Sequence, residues 1–167
     1  MIETARRLAS VPGSYWTDQL NNTDQLPSYE RMGEEIWEQT SGQVGAFVQS
    51  VGTAGSLRGI STRLRVHNEA VHIVAVEPEE SAVLSGRPSG SHKIEGTGAG
   101  FIVPLWTDTL AHEIQTVSTQ EAMATARRLA RHEGIFAGTS TGGNVAVALR
   151  VVWDLATQWS RWQLIPG

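Results

Sequence analysis

Three segments rich in glycine and hydroxyl side chains hold the residues best suited to chemistry. Gly52-Thr53-Ala54-Gly55-Ser56 follows an apolar run and opens a helical pattern, so backbone amides and two hydroxyls collect at a helix start. Unpaired amides and the helix dipole favour a phosphate there, and glycines let the backbone approach it. The segment is neither a Walker A sequence nor a G-x-G-x-x-G fingerprint, and a plain β-α turn could use the same residues. Gly138-Thr139-Ser140-Thr141-Gly142-Gly143 falls at a second expected strand-to-helix junction. Open α/β sheets bind ligands beyond such strand ends, although a hydroxyl here could equally cap the last helix. The third segment is His92 with Lys93-Ile94-Glu95-Gly96-Thr97-Gly98-Ala99-Gly100-Phe101. Its alternate glycines suit a loop that passes a ligand unobstructed, or simply a surface loop.

The remaining composition narrows the chemistry. Against twelve arginines there is one lysine, Lys93, so any mechanism needing a lysine must use it. Cysteine is absent, which removes disulfides, thiolate metal sites and a cysteine nucleophile. His67, His72, His112 and His132 show no ligand spacing such as H-E-x-x-H and are expected as surface or strand residues, with no metal site. Glu34, Glu35, Glu79 and Glu80 are expected on solvated faces and turns. A net charge of -4 with no cluster of Lys and Arg argues against a general nucleic-acid binder. No apolar run reaches the length of a signal peptide or a membrane span, so a soluble, cytoplasmic protein is expected. At 167 residues, 40% hydrophobic and 18% charged, the chain can form one domain with a real core.

The elements that must position these residues are legible in outline. Ile2 to Val11 reads as a short amphipathic helix through Ala5, Leu8 and Ala9, ended by Pro12-Gly13. A polar stretch to Ser28 precedes a helix from Tyr29 to Thr40, with Met32, Ile36 and Trp37 on one side. Val44 to Val51 suits a buried strand, Leu57 to Arg65 a helix and Val71 to Val76 a second strand. Strand, glycine turn, helix and strand make a β-α-β crossover and favour a parallel sheet. Ser81 to Gly100 is loop-like and too long for a bland connector. Ile114 to Val117 is a short strand, and Ser118 with Glu121 forms a capping-box pattern for a helix ending near Gly134. A last helix is expected from about Asn144.

In chain order these segments resemble the cysteine synthases and their cystathionine β-synthase relatives. The matching stretches are Gly33 to Thr40, Ser50 to Ser56, Val76-Glu77-Pro78, Gly90 to Phe101, Ala124 to Leu129 and Glu133 to Gly142. The resemblance implies an α/β fold, three-layer with a mostly parallel sheet, forming part of a fold type II enzyme dependent on pyridoxal 5'-phosphate. It places that enzyme portion at 1–149 and leaves 150–167 as a divergent tail carrying Trp153, Trp159 and Trp162. Dehydratase-type and tryptophan synthase β-type enzymes share the fold, but the His92 to Phe101 loop and Ser140 favour the cysteine synthase branch.

By the same resemblance, Gly52, Thr53, Ala54, Gly55 and Ser56 cradle the cofactor's phosphate. Ala54 stands where glycine is usual and Ser56 where threonine is usual. Ser140 corresponds to the serine that meets the pyridine nitrogen, a neutral partner suited to β-elimination and replacement. Gln19 corresponds to a glutamine near the substrate carboxylate, and Gly96 and Gly98 to the loop on the substrate side. The Schiff-base lysine of the family lies N-terminal to everything matched, and Lys93 aligns with a different lysine. No catalytic residue is therefore assigned, and cofactor binding is expected to be non-covalent at best. The implied whole enzyme is a homodimer making cysteine from an activated serine, O-acetylserine or O-phosphoserine, and sulfide, with serine and homocysteine as the next option. This chain is expected to be inactive unless a complementing N-terminal half supplies the lysine. The alternative is a non-catalytic remnant or interaction domain with a phosphate-binding pocket.

Overall fold

The computed structural model describes the backbone of residues 2–162 and side chains as far as residue 154. Its elements are helix α1 (Ile2–Ala9), helix α2 (Leu26–Gln39), strand β1 (Ala46–Ser50), helix α3 (Gly55–His67), strand β2 (His72–Pro78), strand β3 (Glu113–Val117), helix α4 (Thr119–His132) and helix α5 (Thr139–Trp162). The three strands are parallel in the order β1-β2-β3, with Ala46 opposite His72 and Val74 opposite Glu113. The β1-α3-β2 crossover predicted from the sequence is present. From β2 the chain reaches β3 through a single 3-10 turn, Glu79–Ser81, and then irregular backbone.

The central strand explains the layering. Side chains alternate along a strand, and in β2 Ile73 and Ala75 join Leu57, Ile60 and Leu64 of α3 in one core. Val74 and Val76 join Ala122, Ala146 and Val147 of α4 and α5 in another. Helices therefore cover both faces, which gives the three-layer α/β architecture. Because β2 is buried on both sides, its stretch from Ile73 to Val76 reads as a continuous apolar run.

On the first face, two glycines bring α2 and α3 together. A Cβ at Gly33 would meet the Arg63 Cβ at 2.8 Å, and one at Gly59 would meet the Tyr29 Cβ at 2.5 Å. Glu34 of α2 binds Arg63 and His67 of α3, and the His67 ring stacks on Trp37 at 4.8 Å. His67 and Glu34 thus clasp two helices, rather than lying on merely solvated faces. The face of α2 that meets α3 runs through Tyr29, Gly33, Ile36 and Trp37. The expected Met32 is 45% exposed, because a glycine one position later makes the close approach.

Several expectations are corrected. β1 is half-buried rather than buried, since it lies at the edge of the sheet among the described strands. α1 forms where expected, but none of its residues is buried. α5 begins at Thr139 rather than near Asn144, and Ile135-Phe136-Ala137 is not a strand. The cause is geometric. Gly134, at φ +69°, ends α4, Ile135 N reaches back to Leu129 O, and α5 returns along α4 on the same face. A segment this short cannot cross to the sheet and back, and Phe136 is 96% exposed. Ser118 does cap α4, accepting from Glu121 N at 3.1 Å, while the Glu121 carboxylate faces Arg150 at 3.5 Å. α5 passes position 150 without a break and Val151 is buried in the second core. Of the tail expected at 150–167, residues 163–167 lie outside the described residues, as do the side chains of Trp159 and Trp162.

Candidate functional site

The glycine loop between β1 and α3 starts from the end of an edge strand. Ala54 adopts the left-handed conformation, φ +67° and ψ -4°, and turns the chain into α3. Gly55 N donates to Thr53 Oγ1 at 3.3 Å and Arg58 N to Ala54 O at 2.9 Å. Among the described residues, the amides of Ser56 and Leu57 have no protein acceptor, so both point from the helix start towards solvent or a ligand. Ser56 is half-buried, and its hydroxyl oxygen accepts from Gln49 Nε2 of β1 at 2.5 Å.

The His92 to Phe101 loop is a built structure, not a loose surface loop. Ile94 is 2% exposed in the second core, Thr97 Oγ1 donates to Ile94 O at 2.9 Å, and the His92 ring faces Gly98 O at 3.3 Å. Gly98 has φ +58°, and a Cβ there would meet His92 Nε2 and Pro78 Cγ, each at 2.8 Å. Gly98 N donates to Val51 O at 3.0 Å, which ties this loop to the residue before Gly52. The Gly96 carbonyl oxygen occupies the place a Cβ at Gly52 would take. Gly52 is therefore required to be small by its protein neighbour.

The third segment joins through α5. Thr139 Oγ1 donates to Lys93 O at 3.2 Å, and Ser50 N donates to Asn144 Oδ1 at 2.7 Å. Ser140 and Asn144 are one helical turn apart and share a face, so the half-buried Ser140 is directed towards the same end of β1. The three glycine-rich segments thus converge at the C-terminal ends of β1 and β2. Gln19 is at one remove. Its carbonyl accepts from Gln25 Nε2 at 2.8 Å, the Gln25 carboxamide lies against Gly55, and the Gln19 residue itself is exposed.

Three positioning residues carried no assigned role in the sequence reading. Glu77 is 2% exposed, and its carboxylate accepts from Leu84 N at 2.8 Å and Ser85 N at 2.9 Å, fixing the chain that leaves β2. Its signal was a charge inside an apolar strand run. Asn144 and Gln49 gave no signal, because their partners are set by tertiary contact. Glu80 is also engaged. Burial raises its carboxyl pKa, but hydrogen bonds led by Thr119 N hold it below the usual 4.5 on balance.

The residues present fit a phosphate-bearing cofactor at the glycine loop. The free amides of Ser56 and Leu57 and the Ser56 hydroxyl are donors that a phosphate uses, while the places beside Gly52 and Gly55 are filled by the Gly96 carbonyl and the Gln25 carboxamide. Lys93 lies elsewhere. It is exposed and lines a cavity of about 590 Å³ with Glu80, His92, Thr119 and Arg127, a lining that includes none of Gly52 to Ser56. Among the described residues no helix is long and apolar enough to cross a membrane.

A parallel α/β sheet with a donor-bearing glycine loop beyond its strand ends has the architecture in which open α/β folds bind ligands. The comparisons make the class specific: the chain belongs to the pyridoxal-phosphate dependent enzyme family, whose model matches residues 1–158. It is 40% identical over 142 residues to cysteine synthase 3 of Caenorhabditis elegans, covering 84% of this chain and 42% of that protein. The crystal structure of a cysteine synthase from Entamoeba histolytica superposes with a TM-score of 0.80 at 37% identity, covering 86% of this chain and 43% of that one. The O-acetylserine dependent cystathionine beta-synthase from Helicobacter pylori gives a TM-score of 0.85 at 29% identity, covering 92% and 50%. This chain thus spans about half, or less, of the length of these relatives.

Proposed function

We propose that this chain is the phosphate-binding portion of a pyridoxal-phosphate dependent β-replacement enzyme that makes cysteine from an activated serine and sulfide. O-acetylserine and O-phosphoserine are the donors the reading favours. The single observation that carries it is the convergence of Gly52–Ser56, Gly96–Gly98 and Ser140 at one end of the sheet. In this reading residues 1–149 are the enzyme portion and 150–167 a divergent end whose first turn shares the core through Val151. The setting is cytoplasmic, where amino-acid substrates of this kind and the cofactor are available.

The chain's own residues have definite tasks under this proposal. The amides of Ser56 and Leu57 with the Ser56 hydroxyl hold the phosphate, while Gly52, Gly55 and Ala54 shape the loop around it. Ser140 offers a neutral hydroxyl to the ring nitrogen, which leaves the ring a moderate rather than a full electron sink. When bound, the cofactor supplies the electron sink that β-elimination and replacement need. Gly96 and Gly98 form the substrate side, and Gln19 faces the substrate carboxylate. Proton transfer at the substrate's α-carbon has no candidate here, since the one lysine lies in a separate cavity. The chain alone is therefore inactive, and activity requires a lysine-bearing N-terminal half. Exposed Phe101, Ile102, Ile135 and Phe136 give apolar surface for that half or for a homodimer.

The test compares pyridoxal phosphate with pyridoxal, using tryptophan fluorescence and visible absorbance on the full chain. Phosphate-dependent, reversible binding without turnover of O-acetylserine is the expected result. Borohydride treatment that leaves a stable adduct on Lys93, found by mass spectrometry, would refute the assignment.

A further inference from the structure

Gln49 is the polar side chain on the α3 face of β1, between Phe47 and Val51, which both meet the first core. Its Nε2 donates to Ser56 Oγ at 2.5 Å, and its Oε1 is buried with no partner. A serine hydroxyl carries one proton and two lone pairs. With a lone pair taken by Gln49, the proton is left to donate away from the strand, beside the free amides of Ser56 and Leu57. The acceptor that suits three donors at a helix start is an anion.

Ser56 also stands where the cysteine synthases usually have threonine. A threonine oxygen is held in place by β-branching, whereas a serine rotates among three wells. A hydrogen bond from a strand residue is another way to hold that oxygen. A buried amide oxygen without a partner is a destabilising feature that an apolar side chain would avoid. Its presence is accounted for if the other end of the same amide is needed.

We propose that Gln49 is a positioning residue that fixes the Ser56 hydroxyl as a donor to the cofactor's phosphate, supplying the restraint that a threonine would have built in. This rests on the reading of Gly52 to Ser56 as the phosphate loop. Gln49 touches no reacting atom; it acts through Ser56.

The experiment measures equilibrium binding of pyridoxal phosphate, with inorganic phosphate as competitor, to four full-length chains: the parent, Gln49→Leu, Ser56→Thr and the double variant. Urea unfolding without ligand records stability separately. Gln49→Leu is expected to weaken binding about tenfold, the scale of one hydrogen bond to a charged group. In the Ser56→Thr background the Gln49→Leu change should cost no more than about twofold, since coupled residues are non-additive. Gln49→Met gives the same comparison if the leucine variant does not fold. Equal losses in both backgrounds, or no loss in either, would overturn the proposal. Absence of phosphate-competed binding in the parent would instead remove the phosphate-loop reading, and this proposal with it.

Discussion

Gly52→Ala tests whether the loops of the site are joined as described. The added Cβ would enter the space of the Gly96 carbonyl oxygen, a backbone atom that cannot swing aside like a long side chain. A carbon and a carbonyl oxygen approach no closer than about 3.3 Å in comfortable contact, so the two loops must separate by roughly 1 Å. Gly98 N to Val51 O, now 3.0 Å, would then stretch beyond hydrogen-bond reach. Overpacking costs about 1–3 kcal/mol and the lost hydrogen bond about 1 kcal/mol, so a destabilisation of about 2–4 kcal/mol is expected. With about 2–4 °C per kcal/mol for a domain of this size, the melting temperature should fall by roughly 4–16 °C. Urea and thermal unfolding followed by tryptophan fluorescence read this directly, since Trp106 is 7% exposed in the first core. Gly96→Ala is the control. At φ +77° it strains the backbone, but its Cβ meets nothing within 4 Å, so it should cost about 1–2 kcal/mol while leaving the loops joined. Phosphate affinity should therefore fall at least about tenfold in Gly52→Ala, and less in Gly96→Ala. An unchanged melting temperature and affinity in Gly52→Ala would refute the juxtaposition of the loops.

Glu77→Ala removes the buried carboxylate that accepts from the Leu84 and Ser85 amides and should cost about 3 kcal/mol, the scale of two hydrogen bonds to a charged group, read as a lower urea midpoint with an unchanged slope. His112 supplies a pH dependence. Its ring nitrogen accepts from Ile73 N at 2.8 Å, and its pKa is held below 6.5 by burial, then by Arg65 and the stacked His72. A lowered folded pKa means stability is full above 6.5 and is lost as pH falls towards the folded value. Glu34 and Glu80, lowered from 4.5, lose their contributions only at more acid pH, so neither carboxylate adds to a slope between about pH 5 and 7. His112→Gln should flatten stability over that window, and a slope that survives the substitution would assign it elsewhere.

Features set by local pattern were legible in the sequence, and features set by register were not. β2 could be read because burial on both faces makes Ile73 to Val76 uniformly apolar, and α4 because Ser118 caps it with Glu121 three residues on. The early start of α5 could not, since Thr139 to Gly143 are weak helix formers. Packing decides there: a Cβ at Gly142 would meet Ala126 N at 2.7 Å, so the glycine lets α5 lie against α4. The same holds for the site. The glycine loops announced themselves by composition, but Asn144 reaches Ser50 across 94 positions, and only the docking of α5 onto β1 brings them together. His72 and His112 likewise stack only because β2 and β3 pair in this register.

Ala54 is the residue at which the loop most departs from the pattern it resembles, and its energetics decide whether that departure matters. Glycine is usual at this position, and the left-handed φ of +67° explains why, since a Cβ there costs about 1–2 kcal/mol. Two effects oppose the strain. The methyl group is 2% exposed within the first core, and burying it returns about 0.8 kcal/mol. Alanine also has less freedom to lose on folding than glycine, which contributes about 0.4–1 kcal/mol. The sums nearly cancel, so Ala54→Gly should change stability by no more than about 1 kcal/mol in either direction. The loop keeps its left-handed turn with either residue, and with it the direction of the Ser56 and Leu57 amides. The alanine is thus compatible with an intact phosphate cradle, because it leaves the direction of the two donor amides unchanged.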